Sequence, residues 1–144
     1  MGAIGPGLLV YLGVGKGDSE RDVAFLSEKI LRLRIFEGSA GRLEHSLLER
    51  GGQLLVVSQF TLFADLKKGR RPSFHEAAPP EEAQALYQRF VDALRLQGVE
   101  VATGRFRAMM EVESCVDGPF TLFLDSMTLR GQKEDDAAQH PLEP

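Results

Sequence analysis

Cysteine is nearly absent from this chain. One thiol, Cys115, stands alone among 144 residues, so no internal disulfide can staple the fold. That points to a reducing, cytoplasmic compartment. The surrounding "EVESCV" reads as strand with no helix N-terminus behind the sulfur, which makes the thiol inert rather than activated. Long apolar runs are missing as well. None approaches the ~18–20 residues of a membrane span, and the N-terminus lacks a signal peptide's basic region and apolar stretch. Histidine is scarce. His45, His75 and His140 have no second ligand at metal-site spacing, so neither a metal nor another cofactor is expected. There is no basic excess: the net charge is −4, and any nucleic-acid contact must come from a local patch. A dinucleotide fingerprint, a P-loop and a G-x-S-x-G elbow are all lacking, and no internal repeat is evident.

What remains is an ordinary folded composition, 43% hydrophobic and 26% charged. The length suits one domain with a real core. "GLLVYLGV" at 7–14 fits a buried strand between glycines. Asp18 or Ser19 can cap a helix over about 19–33, where Val23, Leu26, Ile30 and Leu33 recur at helical spacing. "RIF" fits a short strand and "EGSAGR" a turn. A central strand is expected over 53–64. Residues 65–80, with three prolines and a glycine, form a loop. "PEEAQALYQRFVDALRLQG" is the clearest helix, with Pro80 in its first turn and Gly98 at its end. Strands are expected at 107–116 and 120–126, joined by a turn at Asp117-Gly118. The order is that of an α+β fold with a mixed or antiparallel sheet, not a doubly wound one. The folded domain spans 1–129, and 130–144 reads as a disordered tail.

Three features carry possible chemistry. "VVSQFTLFAD" keeps Ser58, Gln59 and Thr61 inside an apolar run. Under strict alternation Ser58 faces away from Gln59 and Thr61, which weakens a side-chain triad and favours a role for the backbone amides. The second feature is the cluster Lys67, Lys68, Arg70 and Arg71, followed by Phe74. It fits a solvated loop, and equally a binder of phosphates and bases. The third is "DGPFT" at 117–121, either turn punctuation or a place where glycine lets backbone approach a ligand.

"SQFTL" at 58–62, "KGRRPSF" at 68–74, "TGRF" at 103–106 and "DGPFT" together resemble the D-aminoacyl-tRNA deacylases, once called D-tyrosyl-tRNA deacylases. "IGPGLLVYLGV" at 4–14 and "LRIFE" at 33–37 fall in the same order and spacing, so the resemblance covers about residues 2–127. It implies a barrel-like sheet with two main helices. It implies an ester hydrolase that removes D-amino acids, and glycine mischarged on alanine tRNA, from the tRNA 3′ end. It implies a homodimer in which a Gly-cisPro pair, here Gly118 and Pro119, enters the other subunit's pocket and rejects L substrates. Ser58, Gln59, Phe60 and Thr61 would line the pocket floor. The Phe60 amide would face the oxyanion, and no side chain would act as nucleophile, the RNA 2′-hydroxyl assisting water. Phe106 and Met110 would wall the pocket, although core packing accounts for them equally. Lys67, Lys68, Arg70, Arg71 and Phe74 would meet the tRNA.

Two rival readings stand beside this one: a tRNA-binding module without catalysis, and a small-molecule esterase using Ser58 or Thr61. The family normally opens with a further strand and hairpin of roughly twenty residues, whose arginine braces the Gly-Pro pair. This chain starts where that hairpin would end. The expectation is an exposed sheet edge and lower stability or activity than in a form extended upstream.

Overall fold

The computed structural model describes residues 2–131. They divide into two compact units that part after Ser114. The first holds a three-stranded parallel sheet: β1 (Gly7–Leu12), β4 (Gln53–Ser58) and β5 (Val101–Thr103), with β4 in the centre. A short antiparallel pair, β2 (Phe36–Glu37) with β3 (Leu43–His45), lies between β1 and β4 in sequence. Both pairing senses of the expected sheet are present, but in separate sheets. Parallel neighbours need a crossover, and the two long helices supply it. α1 (Glu20–Arg32) leads from β1 toward β4, and α3 (Pro80–Leu96) leads from β4 to β5.

Local chemistry sets the helix ends. Ser19 caps α1 in a capping box with Asp22, whose carboxylate takes the Ser19 amide at 2.9 Å. Pro80 starts α3, where a missing amide hydrogen costs nothing. α2 (Leu47–Arg50) is one short turn that the sequence reading passed over. Ser46 and Glu49 form its capping box, and Gly51 ends it in the left-handed region at φ 72°. α1 and α3 pack together and are joined by the Glu20–Arg89 ion pair. The core gathers Leu31, Leu47, Leu54, Val56, Phe90, Val91 and Leu94, all buried.

Strand β4 is shorter than expected. Pairing stops at Ser58, and Phe60–Phe63 form a 3-10 turn. The apolar residues there had suggested continued strand, but two alternating faces lose their meaning once the ladder ends. The segment 107–116 is likewise not a strand. Ala108, Met110 and Val112 alternate with more exposed neighbours, as in a strand, yet no partner among the described residues gives them a ladder. Arg107 even takes a positive φ of 62°.

In the second unit the expected strand at 120–126 is absent from the described residues too. The Gly118–Pro119 peptide is cis, and Gly118 has φ 126°. Residues 126–131 form a helical turn. Asp125 caps it, its carboxylate accepting from the Met127 amide at 3.0 Å. Arg130 and Gly131 close this turn, and the rest of the expected tail lies outside the described residues.

Candidate active site

A parallel sheet collects the loops that leave its strands at one edge, and ligands of such sheets bind at that carboxyl edge. Here three loops leave β1, β4 and β5 side by side. Gly13 to Gly15 follow β1, Gln59 to Phe63 follow β4, and Gly104 to Phe106 follow β5. The sequence motifs "SQFT" and "TGRF", far apart along the chain, therefore lie on adjacent strands. Val56 pairs with Thr103, and the Gly104 amide donates to the Val56 carbonyl at 3.2 Å.

The 3-10 turn after β4 is tied down on the β1 side. The Gln59 amide donates to the Leu12 carbonyl at 2.8 Å. The Phe63 ring lies so close to Gly15 that a Cβ there would sit 2.6 Å from ring carbon Cε1. Only glycine permits that approach. Gln59 Nε2 donates to Thr61 Oγ1, so these two side chains satisfy each other. The Leu62 amide reaches back to the Gln59 carbonyl at 3.3 Å. Among the described residues, the Phe60 and Thr61 amides have no acceptor, as the first turn of a helix dictates. Thr61 and the Phe60 ring are exposed, while Ser58 and Gln59 are half-buried. No histidine or carboxylate among the described residues bonds Ser58 or Thr61. His75 pairs with Ser73 instead.

On the β5 side, Phe106 leans on Tyr87 of α3, ring centroids 5.8 Å apart. Tyr87 is buried, and its hydroxyl donates to the Val56 carbonyl at 2.9 Å. Burial pushes this phenol above its ordinary value, while a hydrogen bond with Thr103 and the charge of Arg95 act the other way. The Met110 sulfur accepts from the Arg105 amide at 3.4 Å and packs on Gly104. Phe106 and Met110 thus both sit at the loop after β5.

The basic cluster lies on a small hairpin. Asp65 and Ser73 exchange backbone hydrogen bonds of 2.6 and 3.0 Å. Gly69 turns the tip at φ 65°, and Lys67, Lys68, Arg70 and Arg71 are all exposed. Phe74, just past the hairpin, meets the Phe60 ring edge-on at 4.9 Å. The hairpin is therefore coupled to the turn after β4 through two half-exposed aromatics. The legs then dock on the β1 loop: Gly15 bridges Ala77, and the Lys16 amide donates to the Glu76 carbonyl at 2.9 Å.

Sequence reasoning missed two kinds of residue. One is the His75 cluster, in which Asp65, ten residues back, reaches His75 only because the hairpin folds. The other is the pair Arg105 and Arg107, which flank Phe106 and are both exposed. The string "RFR" was the available signal. Among the described residues no three His, Cys, Asp or Glu side chains are placed to hold a metal ion, and no helix is long and apolar enough to cross a membrane. Gly118 and Pro119 belong to the second unit, where Val116, Phe120, Leu122 and Phe123 are exposed around them.

The family model for D-Tyr-tRNA(Tyr) deacylase matches residues 1–125. A D-aminoacyl-tRNA deacylase of Thermotoga petrophila is 53% identical over 129 residues, covering 90% of this chain and 87% of that protein. The protein of the same name from Myxococcus xanthus is 58% identical over 123 residues, 85% of this chain and 80% of that one. The solved structure of c-Myc DNA Unwinding Element Binding Protein superposes with a TM-score of 0.78 at 36% identity, covering 85% and 83% of the two chains. This chain belongs to the D-Tyr-tRNA(Tyr) deacylase family, whose curated relatives bear the name D-aminoacyl-tRNA deacylase.

Proposed function

We propose that the chain hydrolyses the ester joining a D-amino acid to the 3′ end of its tRNA, releasing the amino acid and the tRNA. Residues 1–129 act in this reading as one cytoplasmic deacylase domain, and a second copy completes the enzyme as a homodimer. The observation that carries it is the convergence of "SQFT" and "TGRF" at the carboxyl edge of one parallel sheet, in a chain of this family. Ser58, Gln59, Phe60 and Thr61 form the floor for the terminal adenosine and the ester. Phe106 and Met110 wall it. Lys67, Lys68, Arg70, Arg71 and Phe74 meet the RNA, cations on phosphates and the ring on a base.

The chemistry needs no side-chain nucleophile. Thr61 Oγ1 is engaged by Gln59, and among the described residues no histidine or carboxylate bonds it. Without one a threonine hydroxyl is a weak nucleophile at neutral pH. Water, assisted by the ribose 2′-hydroxyl, adds to the carbonyl carbon. The resulting oxyanion is met by the Phe60 amide, which has no acceptor among the described residues. The carbon–oxygen bond to the ribose then breaks, the proton goes to the leaving 3′-oxygen, and the amino acid departs as a carboxylate. Gly118 and Pro119 enter the partner's pocket and oppose an L side chain. A D side chain or the hydrogen of glycine points elsewhere, so glycyl-tRNA(Ala) is also cleaved.

Incubation with D-Tyr-tRNA and L-Tyr-tRNA tests this. Release of D-tyrosine only is the expected result, with Thr61→Ala retaining measurable turnover. Binding without cleavage would return the reading of a tRNA-binding module. Trapping of an acyl-enzyme, lost in Thr61→Ala or Ser58→Ala, would return the small-molecule esterase.

A further inference from the structure

One imidazole joins both legs of the basic hairpin. His75 Nδ1 lies 2.8 Å from Ser73 Oγ. Its Nε2 lies 3.2 Å from Glu76 Oε1 and 3.6 Å from Asp65 Oδ2. Asp65 and Ser73 are the residues whose backbone bonds close the hairpin. The second Asp65 oxygen, Oδ1, accepts from the Lys67 amide at 3.0 Å and starts the turn toward the tip. Phe74 stands between Ser73 and His75 and carries the ring that meets Phe60. The side chain of His75 therefore gathers the hairpin base, the root of the basic tip and the neighbour of the aromatic contact.

We propose that His75 is a positioning residue for the RNA end: it clamps the Lys67–Arg71 hairpin and Phe74, and the clamp tightens when the ring is charged. The inference rests on the proposed role of this hairpin as the RNA-contacting loop. With the ring neutral, the Ser73 hydroxyl donates to Nδ1 and the Nε2 hydrogen is turned toward the two carboxylates. With the ring protonated, Nδ1 donates to Ser73 Oγ and a full positive charge stands between Asp65 and Glu76. Imidazole is the side chain that makes this change between pH 5 and 8. The other charged residues on the segments that meet the cluster are Lys67, Lys68, Arg70 and Arg71 at the tip, and Lys16 and Asp18 on the β1 loop where Gly15 bridges Ala77. Protonation also adds one charge to a segment that meets a polyanion. Both effects run the same way, toward tighter RNA at lower pH.

The ring is half exposed, with 51% of its side chain in solvent, so the effect is modest. Exposed pairs of this kind change an equilibrium by about two- to five-fold. The test measures KM and kcat for D-Tyr-tRNA in wild type, His75→Gln, His75→Ala and Lys67→Ala/Arg70→Ala, at pH 6 and pH 8 and constant ionic strength. Glutamine keeps hydrogen bonding but cannot be charged. KM of His75→Gln is expected to exceed wild type about two- to five-fold at pH 6 and to match it at pH 8, with kcat ratios near one. His75→Ala is expected to raise KM at both values, because it removes the hydrogen bonding as well as the charge. Amide hydrogen exchange at Asp65 and Ser73, faster in His75→Ala, reads the clamp without RNA. A His75→Gln that tracks wild type at both pH values overturns the inference, as does a loss confined to kcat. If Lys67→Ala/Arg70→Ala leaves KM unchanged, the RNA-contact reading fails first and takes this one with it. If that variant raises KM while His75→Gln is silent, only the role of His75 falls.

Discussion

The two units of this chain bury their apolar residues very differently. Residues 2–114 hold a buried core: Phe90 is 1% exposed, and Leu47, Leu54 and Leu94 have no exposed surface. In residues 115–131 the side chains of Val116, Phe120, Leu122, Phe123 and Met127 lie open, Phe123 at 77%, and Leu124 and Leu129 are half-buried. The first unit has the area to stabilise itself, since apolar burial is the main favourable term. Among its described residues the second has no large apolar side chain that is fully buried. Its exposed surface is of the kind that marks an interaction site. The comparison assigns stability to one unit and, on the proposed homodimer, recognition to the other.

The largest expected effect tests the first half of that assignment. Phe90→Ala removes a fully packed ring from α3. Such truncations cost about 3–5 kcal/mol, a large part of the roughly 5–15 kcal/mol that holds a domain. Urea denaturation should show the midpoint collapsing with little change in slope. A loss under about 1 kcal/mol would place the core elsewhere.

Gly118→Ala tests the second half. The backbone there has φ 126°, and a Cβ would lie 3.0 Å from the Phe120 amide nitrogen and 3.3 Å from its Cβ. Side chains rarely adopt that conformation. The turn must move, and a misplacement of about 1 Å at a positioning element costs on the order of 100-fold in rate. Deacylation of D-Tyr-tRNA is expected to fall by about that factor, with urea stability within about 1 kcal/mol of wild type. Equal activity would remove Gly118-Pro119 from the mechanism. An equal fall in stability would erase the distinction between the units.

The same contrast explains what could be read from the sequence. α1 and α3 were legible because their signals are local: Ser19 at a cap, Pro80 at a first turn, and apolar residues at helical spacing. α2 had local signals as well, Ser46, Glu49 and Gly51, but a four-residue turn leaves no periodicity to notice. The end of β4 was not legible. Phe60, Leu62 and Phe63 look like strand residues, and only the loss of ladder partners after Ser58 shows otherwise. The segments 107–116 and 120–126 fail for the same reason, because a strand is a property of a pair. The motif residues were found by resemblance, and their convergence needed the parallel register of β4 with β1 and β5. The link from His75 to Asp65 could not be found by spacing, since it crosses between the two legs of a hairpin.

The smallest expected effect is the sharpest probe of the contrast. Phe123→Ser replaces a large apolar side chain, as Phe90→Ala does, but at a position that is 77% exposed. Little transfer energy is lost when the ring was already in water. Stability at low protein concentration should therefore stay within about 0.5 kcal/mol of wild type. On the proposed homodimer the same change removes contact area from an interface. Sedimentation equilibrium should then show weaker self-association, and deacylation should fall with dilution sooner than in wild type. A melting point that drops at every concentration, as for Phe90→Ala, would mean that Phe123 belongs to a core of its own chain. Unchanged association with unchanged stability would leave the exposed ring without a partner of this kind, and the proposed division of labour would then rest on Gly118 alone.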